Sequence, residues 1–99
     1  MTEQEYKDKR LDKMRHALGM SDKVVDGVFE TNRRSSSYSE PDYYLESLIA
    51  NGFVKRIGRN DGKEFVYVLT ENGIQYVANV TGVTIRCTLE FEPKIKNKQ

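Results

Sequence analysis

The stretch YLESLIANGFVKRIGRNDGKEFVYVLTENG, residues 44–73, constrains the fold more than any other part of the chain. Tyr44, Leu45, Leu48 and Ile49 recur at helical spacing and define one buried face. Asn51 and Gly52 stop that helix, and Phe53 is placed to pack back onto its last turn. A short strand is expected over 53–57. In GRNDGK, residues 58–63, Asn60, Asp61 and Gly62 tolerate the positive φ angles of a tight hairpin. The returning strand spans 64–69. Phe65, Tyr67 and Leu69 share one of its faces and Val66 and Val68 the other, so both faces should be covered. Thr70 is a good N-cap for a helix over 70–80, with Ile74, Val77 and Ala78 turned inward. Helix, hairpin, helix in this order selects the α+β class.

The flanks are read in the same way. Leu11, Met14, Ala17 and Leu18 give one apolar side to a helix over 3–18, which Gly19 can end in the left-handed conformation. Ser21 and Asp22 suit the start of a second helix over 21–30, with Val24, Val25, Val28 and Phe29 buried. Gly27 weakens that helix by about 1 kcal/mol relative to alanine. ETNRRSSSYSEP, residues 30–41, is polar and without period, and is expected to be a mobile loop. Ser39 is expected to cap the helix over 40–51, with Pro41 and Asp42 in its first turn. Four helices result.

After Gly82 comes the cleanest alternation in the chain. Val83, Ile85, Cys87, Leu89 and Phe91 face one way, and Thr84, Arg86, Thr88, Glu90 and Glu92 the other. This predicts a half-buried strand over 83–91. Its apolar side needs a cover, either the hairpin sheet of its own chain, which is preferred, or a second copy in a homodimer. Residues 1–92 are read as one domain, and 93–99 as a disordered basic tail.

Composition narrows function. Sixteen basic and fifteen acidic side chains leave a net charge of +1, so any phosphate-binding face must arise by local segregation of charge. No apolar run approaches the roughly 20 residues of a membrane span. The amino-terminal MTEQEYKDKR lacks an apolar core, so no signal peptide is expected, and one cysteine excludes an internal disulfide. The cytoplasm is the expected compartment. His16, the single histidine, sits near the end of the first helix, where its partial charge suits the dipole. Cys87 is read as a small buried hydrophobe. GRNDGK lacks phosphate-loop spacing, RRSSSYS lacks the glycines of a nucleophile elbow, and no metal-ligand spacing occurs. Neither an enzyme nor a cofactor is expected.

Leu45, Leu48, Gly52, FVKRI, GRNDGKEF and YVLTENG together resemble the end of a winged helix-turn-helix domain, as found in many bacterial regulators. The resemblance is close over about a third of the chain and loose over most of it. It implies a small winged-helix-like domain with an additional C-terminal strand and double-stranded DNA as partner. A fainter similarity, on Asn32, Arg33, Arg34, Tyr43, Leu45, Leu48 and NGFV, links the chain to short proteins of phage and prophage genomes. The helix over 40–51 departs from the DNA-reading pattern, because it carries Glu40, Asp42 and Glu46 and no lysine or arginine. The residues expected to hold DNA therefore flank it: Arg33, Arg34, Ser36, Tyr38 and Tyr43 before and at its start, and Lys55, Arg56, Arg59 and Lys63 after it. They suit phosphate better than bases. The alternative is a protein-interaction module on the same scaffold, using Tyr38 and Tyr43.

Overall fold

The computed structural model describes residues 2–20, 24–58 and 64–88. It is a small α+β domain, with three helices and five strands among those residues. Helix α1 runs Glu3–Leu18. Its start is fixed by a capping box: the Glu5 amide donates to Thr2 Oγ1, and the Thr2 amide donates to Glu5 Oε1. These bonds hold the Glu5 carboxyl below its ordinary range, the bond to the Thr2 backbone contributing most. Met14, Ala17 and Leu18 are buried, and Gly19 ends the helix at φ 67°. Thr31 Oγ1 donates to the Leu18 carbonyl, tying that end of the helix to the next element.

The helix expected over 21–30 is not what the described residues show. Val25 and Val28 exchange both backbone bonds, at 3.0 and 2.9 Å, around Asp26 and Gly27. Both central residues have positive φ, 53° and 76°. An Asp-Gly pair in this conformation makes a two-residue hairpin turn and cannot sit in a right-handed helix. Strand β1, Val28–Thr31, follows directly. The proposed cap at Ser21 and Asp22 lies outside the described residues.

The expected loop over 30–41 is also corrected, because Ser35–Tyr38 forms strand β2. Its side chains are polar, but its backbone pairs antiparallel with β4, Phe65–Leu69. Helix α2 spans Tyr43–Ile49 and is shorter than expected. Its cap is Asp42, not Ser39, with Asp42 Oδ2 accepting from the Leu45 amide at 2.9 Å. Gly52 takes φ 77° and the Phe53 amide returns to the Leu48 carbonyl, as the Asn51-Gly52-Phe53 sequence requires.

Strand β3, Val54–Gly58, pairs antiparallel with β4, giving a three-stranded sheet in the order β2–β4–β3. The hairpin tip with Arg59, Asn60, Asp61, Gly62 and Lys63 lies outside the described residues. Helix α3, Glu71–Thr81, starts at Thr70, whose hydroxyl accepts from the Gly73 amide. Gly73 is required here: a Cβ would stand 2.1 Å from the Phe53 carbonyl oxygen. Strand β5, Thr84–Cys87, joins β1 in parallel rather than the hairpin sheet. The remainder of the strand expected over 83–91 and the tail at 93–99 lie outside the described residues. The core gathers Met14, Leu18, Phe29, Leu45, Leu48, Val54, Tyr67, Leu69 and Val77 between the helices and the sheets.

Candidate functional site

Alternation along the sheet decides where the basic side chains go. Tyr67, Leu69 and Val54 are buried on the face turned to the helices. By the register, Ser36 and Arg56 flank Tyr67 on that face, and Ser35 and Lys55 flank Val68 on the other. The cations expected to grip phosphate are thus divided between opposite faces before any long-range geometry enters.

Arg56 is committed to helix α2. Its guanidinium donates to Glu46 Oε2 at 2.7 Å, and the Tyr67 hydroxyl donates to the same oxygen at 2.6 Å. The Tyr67 oxygen in turn accepts from the Asp42 amide at 3.0 Å. Asp42 Oδ1 pairs with the Lys13 ammonium at 2.9 Å, and that ammonium lies 5.0 Å from the centre of the Tyr38 ring. One polar chain, Lys13–Asp42–Tyr67–Glu46–Arg56, therefore links α1, the start of α2 and the sheet. Burial chiefly, and then the bond to Glu46, push the Tyr67 phenol above its ordinary value; the bond to Asp42 raises Lys13. Two of the three carboxylates in the acidic helix segment are neutralised within the domain.

The two arginines before α2 are also used internally. Arg34 is the buried charged residue among those described, only 1% exposed. Its Nε donates to the Leu69 carbonyl and its Nη2 to Glu71 Oε2, both at 3.0 Å. This joins β2 to the end of β4 and the first turn of α3. Arg33 is exposed, but its side chain lies over Gly19, where a Cβ would meet its Cδ and Nη1 at 3.1 Å. A cation at the carboxyl end of a helix is favoured by the helix dipole. Ser36 and Tyr38 are half-buried. Tyr43 and Lys55, also expected to contact DNA, are exposed. Arg59 and Lys63 lie outside the described residues.

A different cluster emerges where α1 crosses α2. Tyr43 is 69% exposed, the most exposed aromatic side chain among the described residues. Its ring centre lies 5.9 Å from that of Tyr6 and 5.1 Å from that of Tyr44, both in edge-to-face contact. Tyr6 and Tyr44 are 5.9 Å apart. The Arg10 guanidinium stacks 5.3 Å from the Tyr6 ring and donates to Asn51 Oδ1. The sequence reading missed Tyr6, Arg10 and Tyr44. A signal was present: Tyr6 and Arg10 are four residues apart on one side of α1, and Tyr44 adjoins Tyr43.

No group of three histidine, cysteine, aspartate or glutamate side chains among the described residues could hold a metal ion. No described helix is long and apolar enough to cross a membrane. Comparison with protein-family models, curated proteins and solved structures finds no match in any of the three.

Proposed function

We propose that the chain is a protein-binding module whose docking surface is centred on Tyr43. The observation that carries this reading is the ring cluster Tyr6–Tyr43–Tyr44, with Arg10 stacked on it and Tyr43 left open to solvent. Tyrosine and arginine are enriched at protein interfaces because a rigid ring or planar cation buries much area at little entropic cost. Three rings in mutual contact present that area already ordered. Internal use of Arg34, Arg56 and Lys13 works against one continuous positive face.

A second reading, the winged-helix nucleic-acid binder of a bacterium or phage, is favoured by one observation. The β3–β4 hairpin stands beside α2 in a β2–β4–β3 sheet, with Lys55 exposed on the outer face and the chain leading on to Arg59 and Lys63. In that reading the wing holds phosphate and the acidic helix reads no bases. Both readings suit a protein of the bacterial cytoplasm acting as a regulator.

Two measurements separate them. A photo-crosslinking residue at Tyr43 should capture a discrete protein in the source cell, while the same residue at Val80 should not. Duplex DNA of unrelated sequences, titrated by fluorescence anisotropy at low and moderate salt, should give no saturable binding. If it does bind, and Arg59→Ala with Lys63→Ala flattens the salt slope by about two units, the wing is the functional site and the tyrosine reading falls.

A further inference from the structure

Arg10 differs from most of the described arginines in what it touches. Arg15, Arg34, Arg56 and Arg86 each have a carboxylate oxygen within 4.0 Å. The Arg10 guanidinium has none among the described residues. It donates instead to a neutral amide oxygen, Asn51 Oδ1, and stacks 5.3 Å from the Tyr6 ring centre. The acids of the two helices it lies between are bound elsewhere. On α1, Glu3 pairs with Lys7, Glu5 with the Thr2 cap, Asp8 with Gln4 and Asp12 with Arg15. At α2, Asp42 holds Lys13 and the Leu45 amide, and Glu46 holds Arg56 and Tyr67. Arg10 Nε is covered by neighbouring atoms, which leaves the two Nη nitrogens to meet a ligand. Tyr43, whose ring centre is 5.9 Å from that of Tyr6, stands open beside them. Cation and open ring thus share one spot that carries no carboxylate of its own among the described residues.

We infer that the partner of the tyrosine surface is recognised by an acidic segment, with a glutamate or aspartate carboxylate seated on Arg10 and an adjoining apolar side chain on the Tyr43 ring. The inference rests on the protein-binding reading and names the chemistry of that partner. Charge complementarity carries it. A cation with no carboxylate beside it repels a basic segment and attracts an acidic one. A planar guanidinium suits a carboxylate in particular, because its N–H groups match the two oxygens. The Tyr6 ring and Asn51 already hold Arg10 in place, so little side-chain freedom is lost on binding. The Tyr6 and Tyr43 hydroxyls are further donors that a carboxylate can use. A single nucleic-acid strand also brings anions and flat groups, but successive bases need a row of open ring faces. Here Tyr43 is exposed while Tyr6 and Tyr44 are half-buried, and the contacts of Tyr43 with both are edge to face.

The test is an NMR titration of the full ¹⁵N-labelled chain with the end-capped peptide Gly-Glu-Leu-Glu-Glu-Leu-Gly and with the same peptide carrying Gln at each Glu. The Glu peptide should shift the Tyr43 amide and the Arg10 side-chain resonances saturably, and should bind roughly tenfold more tightly than the Gln peptide, as expected for a hydrogen bond to a charged group. Raising salt from about 0.05 to 0.3 M should weaken the Glu peptide and leave the Gln peptide unchanged. Arg10→Gln should bring the Glu peptide down to the level of the Gln peptide. The peptide pair and the salt series use the wild type, so the inference stays testable should Arg10→Gln fail to fold. Equal effects of the two peptides, or none from either, overturn it. So does saturation centred on Lys55 or Arg86 rather than Arg10, and so does an oligothymidine strand that shifts Arg10 and Tyr43 where the Glu peptide does not. Photo-crosslinking at Tyr43 separates this inference from the reading beneath it. A discrete protein captured equally by wild type and Arg10→Gln, at low and moderate salt, overturns the acidic segment and leaves the docking surface standing. No capture at Tyr43, with no shift from either peptide, brings down both.

Discussion

The two sheets of this domain obey different rules. In the three-stranded sheet, β4 has a neighbour on each side, and four of its five residues are buried. In the two-stranded sheet, β5 has one neighbour among the described residues, and its residues alternate between exposed and half-buried. Yet β5 has the cleaner amphipathic sequence, and β2, which completes the first sheet, reads Ser-Ser-Ser-Tyr. Burial here follows the number of neighbours a strand has, more than its apolar content. A polar strand is held where a central strand needs its backbone partner, and an apolar one stays half open where the described residues bring it no second partner.

The sharpest way to break the contrast is at Arg34, the side chain that fastens β2 to β4 and α3. Arg34→Ala removes the donor to the Leu69 carbonyl and leaves a void. Urea denaturation should show a loss of about 3 kcal/mol. Glu71 is 77% exposed and is not left stranded, so the deficit should persist in an Arg34→Ala, Glu71→Ala double variant. Next in size is Tyr67→Phe, which deletes one hydroxyl from the chain linking Asp42 and Glu46. Its expected cost is about 1–2 kcal/mol, read in the same experiment.

Alkaline pH sharpens the same point more gently. The folded-state values of Tyr67 and Lys13 lie above their ordinary values of 10.0 and 10.5. The folded state therefore holds both protons more tightly than the unfolded chain. Their contribution is complete below pH 10 and declines as pH rises through the folded values. The melting temperature should fall across that window in the wild type, and less steeply in Tyr67→Phe. Smallest of all should be Arg86→Ala on the exposed face of β5. Its pair with Glu30 is solvent-exposed on both sides, so stability should change by no more than about 0.5 kcal/mol.

These contrasts also mark what could be read from the sequence. The segment from Tyr44 to Gly73 was legible because each local signal agrees with its neighbours: the Asn-Gly stop, the two alternating strands and the Thr70 cap. Gly73 was legible as part of that motif, though its packing against Phe53 was not. Residues 24–31 misled because Val24, Val25, Val28 and Phe29 fit a helical period, while Asp26-Gly27 carries the stronger turn chemistry. Ser35–Tyr38 was invisible because its order comes from β4, a partner distant in sequence. The site divides along the same line. Arg34 looked like a surface cation, and only the fold shows it buried. Tyr43 was singled out as an exposed ring, but its companions Tyr6 and Arg10 come from another helix, and no local pattern joins them to it.

The parallel pairing of β1 with β5 has a consequence in time. Val28 faces Thr84 in that register, so an early strand waits for one of the last. On a ribosome, α1, the hairpin and α3 can all emerge and pack while β1 still lacks its partner. Closing so long a loop is slow compared with forming a neighbouring hairpin. The Asp26-Gly27 turn and the bond from Thr31 to the end of α1 are local, and can hold β1 in place meanwhile. Among the described strands, the first in the chain is thus the one whose partner is the last.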